Sequence, residues 1–141
     1  MTVHQISIFL ENKFGKLSEV LALLNNENIN IIAATIADTS EFGLLRLIVT
    51  EPEKTYNILK QNNVVVSLTD VIAVVTNKSV GNFSQTLNYF TNSGLSFEYI
   101  YSFSLNGKNV LIIRTNNREA AREVVRRNNL EYVCEEDLAK L

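Results

Sequence analysis

Few residues of this chain have types and spacing that could do chemistry. The one histidine, His4, and the one cysteine, Cys134, do not form the paired His, Cys or Asp arrangement that acid–base or nucleophilic catalysis requires. A single cysteine closes no internal disulfide, and no cysteine spacing of the metal-binding kind is present. The stretch with something to offer is Asn12-Lys13-Phe14-Gly15. Beyond it Leu17, Val20, Leu21 and Leu24 recur at i, i+3, i+4 and i+7, one face of a helix. A turn that aims the unpaired N–H groups of a helix start outward can hold a carboxylate. Gly15 can equally do no more than make the bend. The chemistry on offer is recognition of a small anion or zwitterion.

The elements that must position this turn follow from periodicity. Val3–Leu10 alternates as a strand, and Lys16–Asn26 is the helix after the turn. Asn28 suits the left-handed exit from that helix. Asn30–Ala37 and Leu44–Thr50 read as strands joined by the polar, glycine-containing Asp38–Gly43 loop. Pro52 fits the first turn of a helix over Glu53–Gln61, and Val64–Leu68 closes the unit as a fourth strand. The order is β-α-β-β-α-β, a split βαβ or ferredoxin-like unit.

The same order then begins again. Val71–Thr76 is a strand, Asn77–Gly81 a turn, and Asn82–Asn92 a helix. Strands Ser96–Ser104 and Asn109–Thr115, joined at Asn106-Gly107, lead to helix Arg118–Arg127 and strand Leu130–Cys134. Gly15 to Gly81 and Asn63 to Asn129 are both 66 positions, and Leu17-Ser18 meets Phe83-Ser84 at that offset. One offset holding across a whole unit marks a duplication. The fold class is therefore α+β: two tandem ferredoxin-like βαββαβ domains, 1–69 and 70–141, with antiparallel sheets and helices on one face. No Gly, Pro or polar run loosens the join, where Thr69-Asp70 is the one corner. Val71, Ala73 and Val75 oppose Ile72 and Val74, so the strand is apolar on both faces. A neighbouring domain or another chain must then cover the second face, and a homodimer is the expectation.

With turn and repeat in hand, the chain resembles a pair of ACT domains, small βαββαβ modules that bind amino acids and regulate enzymes or transcription factors. The family's mark is an acidic or Asn residue, a variable residue, usually Pro, then Gly; here it reads Asn12-Lys13-Phe14-Gly15-Lys16-Leu17, with Phe14 in place of the Pro. A second mark enters the second strand as Asn28-Ile29-Asn30-Ile31. The resemblance implies ligand-contacting roles for Asn12 and Asn30. In the second copy Lys78 stands where Asn12 does and Ser96 where Asn30 does, with Val80-Gly81 ahead of the helix. Lys78 cannot accept a hydrogen bond, so the copies are not equivalent binders.

At such a site the ligand carboxylate would take N–H donors from Gly15, Lys16 and Leu17. The ammonium would take the amide oxygens of Asn12 and Asn30, residues that otherwise serve as a helix cap and a strand start. Phe97, Tyr99, Tyr101 and Phe103 alternate onto one strand face, as core, dimer face or aromatic wall of a pocket. Arg118, Arg122 and Arg126 form a helical stripe beside Glu119 and Glu123, which reads as a solvated face.

The function classes narrow accordingly. A formal charge of −2, and central strands without aromatics, disfavour RNA binding by this βαββαβ order. No apolar run spans a bilayer and no signal segment leads the chain, so a cytoplasmic location, with no membrane partner, is expected. No metal or cofactor is expected, and no enzymatic activity. The reading is a stand-alone regulatory protein that senses a free amino acid at a domain interface and signals to a separate enzyme or regulator. The alternative is a ligand-free structural or dimerisation module.

Overall fold

The computed structural model describes residues 1–11, 13–38, 41–77 and 79–141, and at Lys13, Phe14 and Asp38 the backbone only. In the first repeat β1 (Thr2–Leu10), α1 (Lys13–Asn26), β2 (Ile31–Asp38), β3 (Gly43–Val49) and α2 (Pro52–Gln61) lead into β4 (Val65–Thr76). The second continues through α3 (Asn82–Thr91), β5 (Phe97–Leu105), β6 (Lys108–Thr115) and α4 (Arg118–Arg127) to a short α5 (Glu135–Ala139). Two compact units result: His4–Thr69 with Leu138–Leu141, and Asp70–Asp137 with Met1–Val3.

In the first unit the strand order is β2-β3-β1, with β4 beside β1. Ile6, Ile8 and Leu10 of β1 and Leu45, Leu47 and Val49 of β3 turn one face inward onto Val20 and Leu24 of α1 and Leu59 of α2. In the second unit the order is β4-β6-β5. There Ile72, Val74, Leu111 and Ile113 pack on Phe90 of α3 and on Ala121, Val124 and Val125 of α4.

One device closes all four long helices. A left-handed residue follows each: Asn28, Asn63, Gly94 and Asn129. The next N–H then reaches back five residues, as in Ile29 to Leu24 O (3.0 Å), Val64 to Leu59 O (3.0 Å), Leu95 to Phe90 O (3.3 Å) and Leu130 to Val125 O (3.0 Å). That bond satisfies carbonyls a helix end otherwise leaves unpaired, and it drops an apolar residue back onto the core. At its start α4 is capped by Asn117, whose Oδ1 accepts the Ala120 N–H at 3.0 Å.

Three expectations change. The two strands expected around Thr69-Asp70 are one twelve-residue strand, β4; nothing there breaks an extended chain. The closing strand over Leu130–Cys134 shrinks to a single bridge, Val74 to Tyr132. It is cut short because the Asp137 carboxylate accepts the Cys134 N–H (2.9 Å) and opens α5. The aromatic stripe of β5 is split by an irregularity between Phe97 and Tyr99. Phe97 meets Phe90 in the core (centroids 6.1 Å apart), while Tyr99 and Tyr101 stack on each other on the opposite face at 6.3 Å.

Phe90 fills the centre of the second core with no exposed surface. Phe90→Ala is expected to cost about 3–5 kcal/mol in urea unfolding, against less than about 0.5 kcal/mol for Val65→Ala at an exposed position. Similar losses at both would contradict this placement of the core.

Candidate functional site

The first helix starts at Lys13, ahead of Gly15. Gly15 is therefore an exposed helical residue and does not make the bend. The N–H groups of an α-helix without a partner inside the helix are its first four, and Gly15 is among them, whereas Leu17 lies past them and donates within the helix. The Leu17 side chain packs on the core, and Lys16 Nζ sits 3.5 Å from the Glu19 carboxylate. Asn12 and Lys78 lie outside the described residues, as do the side chains of Lys13 and Phe14.

Strand register separates the two halves of the expected site within each copy. In the first, β1 leaves the sheet at the pair Leu10–Gly43, whereas β2 enters it at Ile31–Val49. Asn30 precedes Ile31, and its carbonyl accepts the Thr50 N–H at 3.2 Å. Gly43 and Val49 are six residues apart along β3, about 20 Å at the rise of a strand. The second copy repeats this. The turn carrying Gly81 follows the pair Thr76–Asn109, and Ser96 precedes the pair Phe97–Thr115. Ser96 is held there by Asn116, whose Oδ1 accepts the Ser96 N–H at 3.2 Å. The helix-opening turn and the residue before the second strand thus sit at opposite ends of the same sheet.

The helix-opening turn of the second copy is closed by its own side chains. Asn77 Oδ1 accepts the Ser79 N–H (2.9 Å) and the Ser79 hydroxyl, and Asn82 Oδ1 accepts the Asn77 N–H (2.9 Å). Gly81 is the residue at the helix boundary, with φ +88° and no side chain to cap. Val80 points wholly into water. Beside this turn lies a cavity of about 340 Å³ whose wall includes Asn77, Asn82, Gln85, Tyr89, Lys108 and Glu131. The Lys108 ammonium and the Glu131 carboxylate pair across it, each more than half exposed. Gln85 Nε2 donates to the Tyr89 hydroxyl at 3.1 Å. Of the described residues picked out in sequence, none lines this cavity; comparing the two copies position by position at the 66-residue offset was the signal that could have found it.

A second cavity, of about 450 Å³, occupies the other end of the same unit. Its cations are engaged: Arg114 with Glu98 (3.2 Å) and with the Asp70 carbonyl (2.7 Å), Arg118 with the Asp70 carboxylate. The arginine stripe of α4 is ion-paired throughout, with Arg122 on Glu119 and Arg126 on Glu123. Cys134 is half-buried and lies 3.5 Å from the terminal ammonium of Met1. Among the described residues no group of three or more His, Cys, Asp or Glu is placed to hold a metal ion. None of the described helices is long and apolar enough to cross a membrane.

A family model described as an ACT domain pair matches residues 1–141. Protein BT0572 from Bacteroides thetaiotaomicron superposes with a TM-score of 0.93 at 39% identity, covering 100% of this chain and 98% of that one. The ligand-free regulatory subunit of aspartate kinase from Thermus thermophilus shares the fold, with a TM-score of 0.56, 14% identity, and coverage of 88% and 91%. So does E. coli aspartokinase III in complex with aspartate and ADP, with a TM-score of 0.52 and 18% identity over 88% of this chain and 31% of that one. No curated protein matches the sequence.

The two glycines at equivalent positions should respond to alanine with opposite signs. Gly81→Ala forces a left-handed alanine and is expected to lose about 1–2 kcal/mol. Gly15→Ala, in an exposed helix, is expected to gain about 0.5–1 kcal/mol. Urea midpoints of the two variants check this, and a loss at Gly15 would contradict the early helix start.

Proposed function

The chain belongs to the ACT family, as a pair of ACT domains, and we propose that it is a regulatory protein that binds a free amino acid and signals the binding to a separate enzyme or regulator. The observation that carries this reading is the cavity beside α3, where Lys108 and Glu131 offer opposite charges next to the amides of Asn77, Asn82 and Gln85. A zwitterion presents the same two charges in reverse. Its carboxylate can replace Glu131 as the partner of Lys108, and its ammonium can replace Lys108 as the partner of Glu131. The pair given up is exposed, and such pairs contribute only about 0–1 kcal/mol, so opening it costs little. Amides and hydroxyls near the charges then read the side chain, because a polar group left unpaired by the wrong ligand costs about 1–3 kcal/mol.

A thermal-shift screen against the free amino acids tests the proposal. At a concentration of about 100 times Kd, a ligand that binds only the folded chain adds about 2.7 kcal/mol of stability. At least one amino acid is expected to raise Tm accordingly, and Lys108→Ala is expected to reduce that rise while leaving the unliganded Tm nearly unchanged. A flat response across the whole set would instead favour a ligand-free structural module.

A further inference from the structure

The duplication that repeats the fold also repeats a groove. In the first unit a cavity of about 270 Å³ is lined by Lys16, Glu19, Val20, Leu23, Asn62 and Val64. Advanced by 66 positions these become Asn82, Gln85, Thr86, Tyr89, Asn128 and Leu130, and all but Asn128 line the cavity beside α3. Both grooves therefore lie between the first helix of a copy and the residues that follow its second helix. They are one site inherited twice, and their linings have diverged.

The divergence is chemical. In the first copy Lys16 and Glu19 neutralise each other at 3.5 Å, and the rest of the wall is Val20, Leu23 and Val64 with Asn62. In the second copy three of the same positions hold neutral hydrogen-bonding groups, with Gln85 for Glu19, Tyr89 for Leu23 and Asn82 for Lys16, while Leu130 keeps the apolar character of Val64. The change reaches below the surface. Leu10 and Val20, buried in the first copy, are replaced by Thr76 and Thr86, which are 3% and 4% exposed. A buried hydroxyl packs no better than the methyl it replaces and needs a partner. The Thr86 hydroxyl donates to the Asn82 carbonyl at 2.8 Å, which leaves its oxygen lone pairs as acceptors at the cavity wall. The outer rim adds the charged pair, Lys108 from the start of β6 and Glu131 from beyond α4.

We infer that the groove of the second copy alone is the binding site, and that its ligand is an amino acid with a short, uncharged side chain bearing a hydroxyl or carboxamide. The inference rests on the reading that the chain binds a free amino acid, and it adds which copy binds and what side chain is selected. Lys108 and Glu131 take the charged ends. Gln85, Tyr89 and Thr86 exchange hydrogen bonds with the side chain, and a charged side chain finds no counter-ion left over for it.

The test is calorimetric titration of the full chain with serine, threonine, asparagine and glutamine, set against leucine, phenylalanine, aspartate and lysine. The expected result is binding from the first set only, at one ligand per chain. Gln85→Ala, at an exposed helix position, and Thr86→Val, which restores the residue type of the first copy, should each weaken binding about tenfold, the loss of one good hydrogen bond. Both should keep the unliganded Tm, and Glu19→Gln in the other groove should leave affinity unchanged. Binding of a charged or apolar amino acid, two ligands per chain, or unaltered affinity in both Gln85→Ala and Thr86→Val would overturn this inference while leaving an amino-acid sensor standing. Silence from all the amino acids would overturn both.

Discussion

The register of the central strand pairs is the constraint on which the rest depends. On β1 the core residues Ile6, Ile8 and Leu10 alternate with Gln5, Ser7 and Phe9, so a slip of one residue against β3 would turn polar side chains into the core. With register fixed, the ends of each sheet are fixed too. The helix-opening turn of each copy stays at one end and the residue before the second strand at the other. No side-chain rearrangement within a copy can close a gap of about 20 Å. A ligand that touched both kinds of residue would have to take them from different copies of the module, whereas the groove beside α3 needs only one.

The two copies have diverged at the residues that line the same groove. In the first, the groove is lined by an ion pair with Val20, Leu23, Val64 and Asn62. In the second, Asn82, Gln85, Thr86 and Tyr89 put amides and hydroxyls at four of these positions while Leu130 stays apolar, and Thr76 and Thr86 stand where the first copy has buried Leu10 and Val20. The core there rests on Phe90 and the β4 and β6 valines, leucines and isoleucines rather than on the groove residues. The motif turn differs as well: Asn77, Ser79 and Asn82 spend their polar atoms on one another, and Gly81 supplies the left-handed step that lets α3 start.

Much of the fold could be read from residue order because its signals are local. The periodicity of Leu17, Val20, Leu21 and Leu24 gave a helix, and Asn28 marked its left-handed exit. α4 occupies the expected Arg118–Arg127. What escaped depends on neighbours far along the chain. The irregularity that turns Phe97 away from Tyr99 is a property of pairing with β6, not of the β5 sequence. The closing strand loses its length to α5 because a carboxylate three residues ahead captures the Cys134 N–H. The site was the least legible part, since Gln85, Tyr89, Lys108 and Glu131 belong to no short motif and meet only through the fold. Gly15 misled in the other direction: a glycine after a strand suggests a bend, yet here it is simply tolerated inside a helix.

The central claim is that recognition belongs to the groove beside α3, and amide NMR of the labelled chain during titration with a stabilising amino acid measures this most directly. The account predicts that the resonances of Asn82, Gln85, Thr86 and Lys108 move together and saturably, while those of Val20, Leu23 and Asn62 stay put. Shifts centred instead on the first turn of α1, or at Asn30 and Ser96, would contradict it.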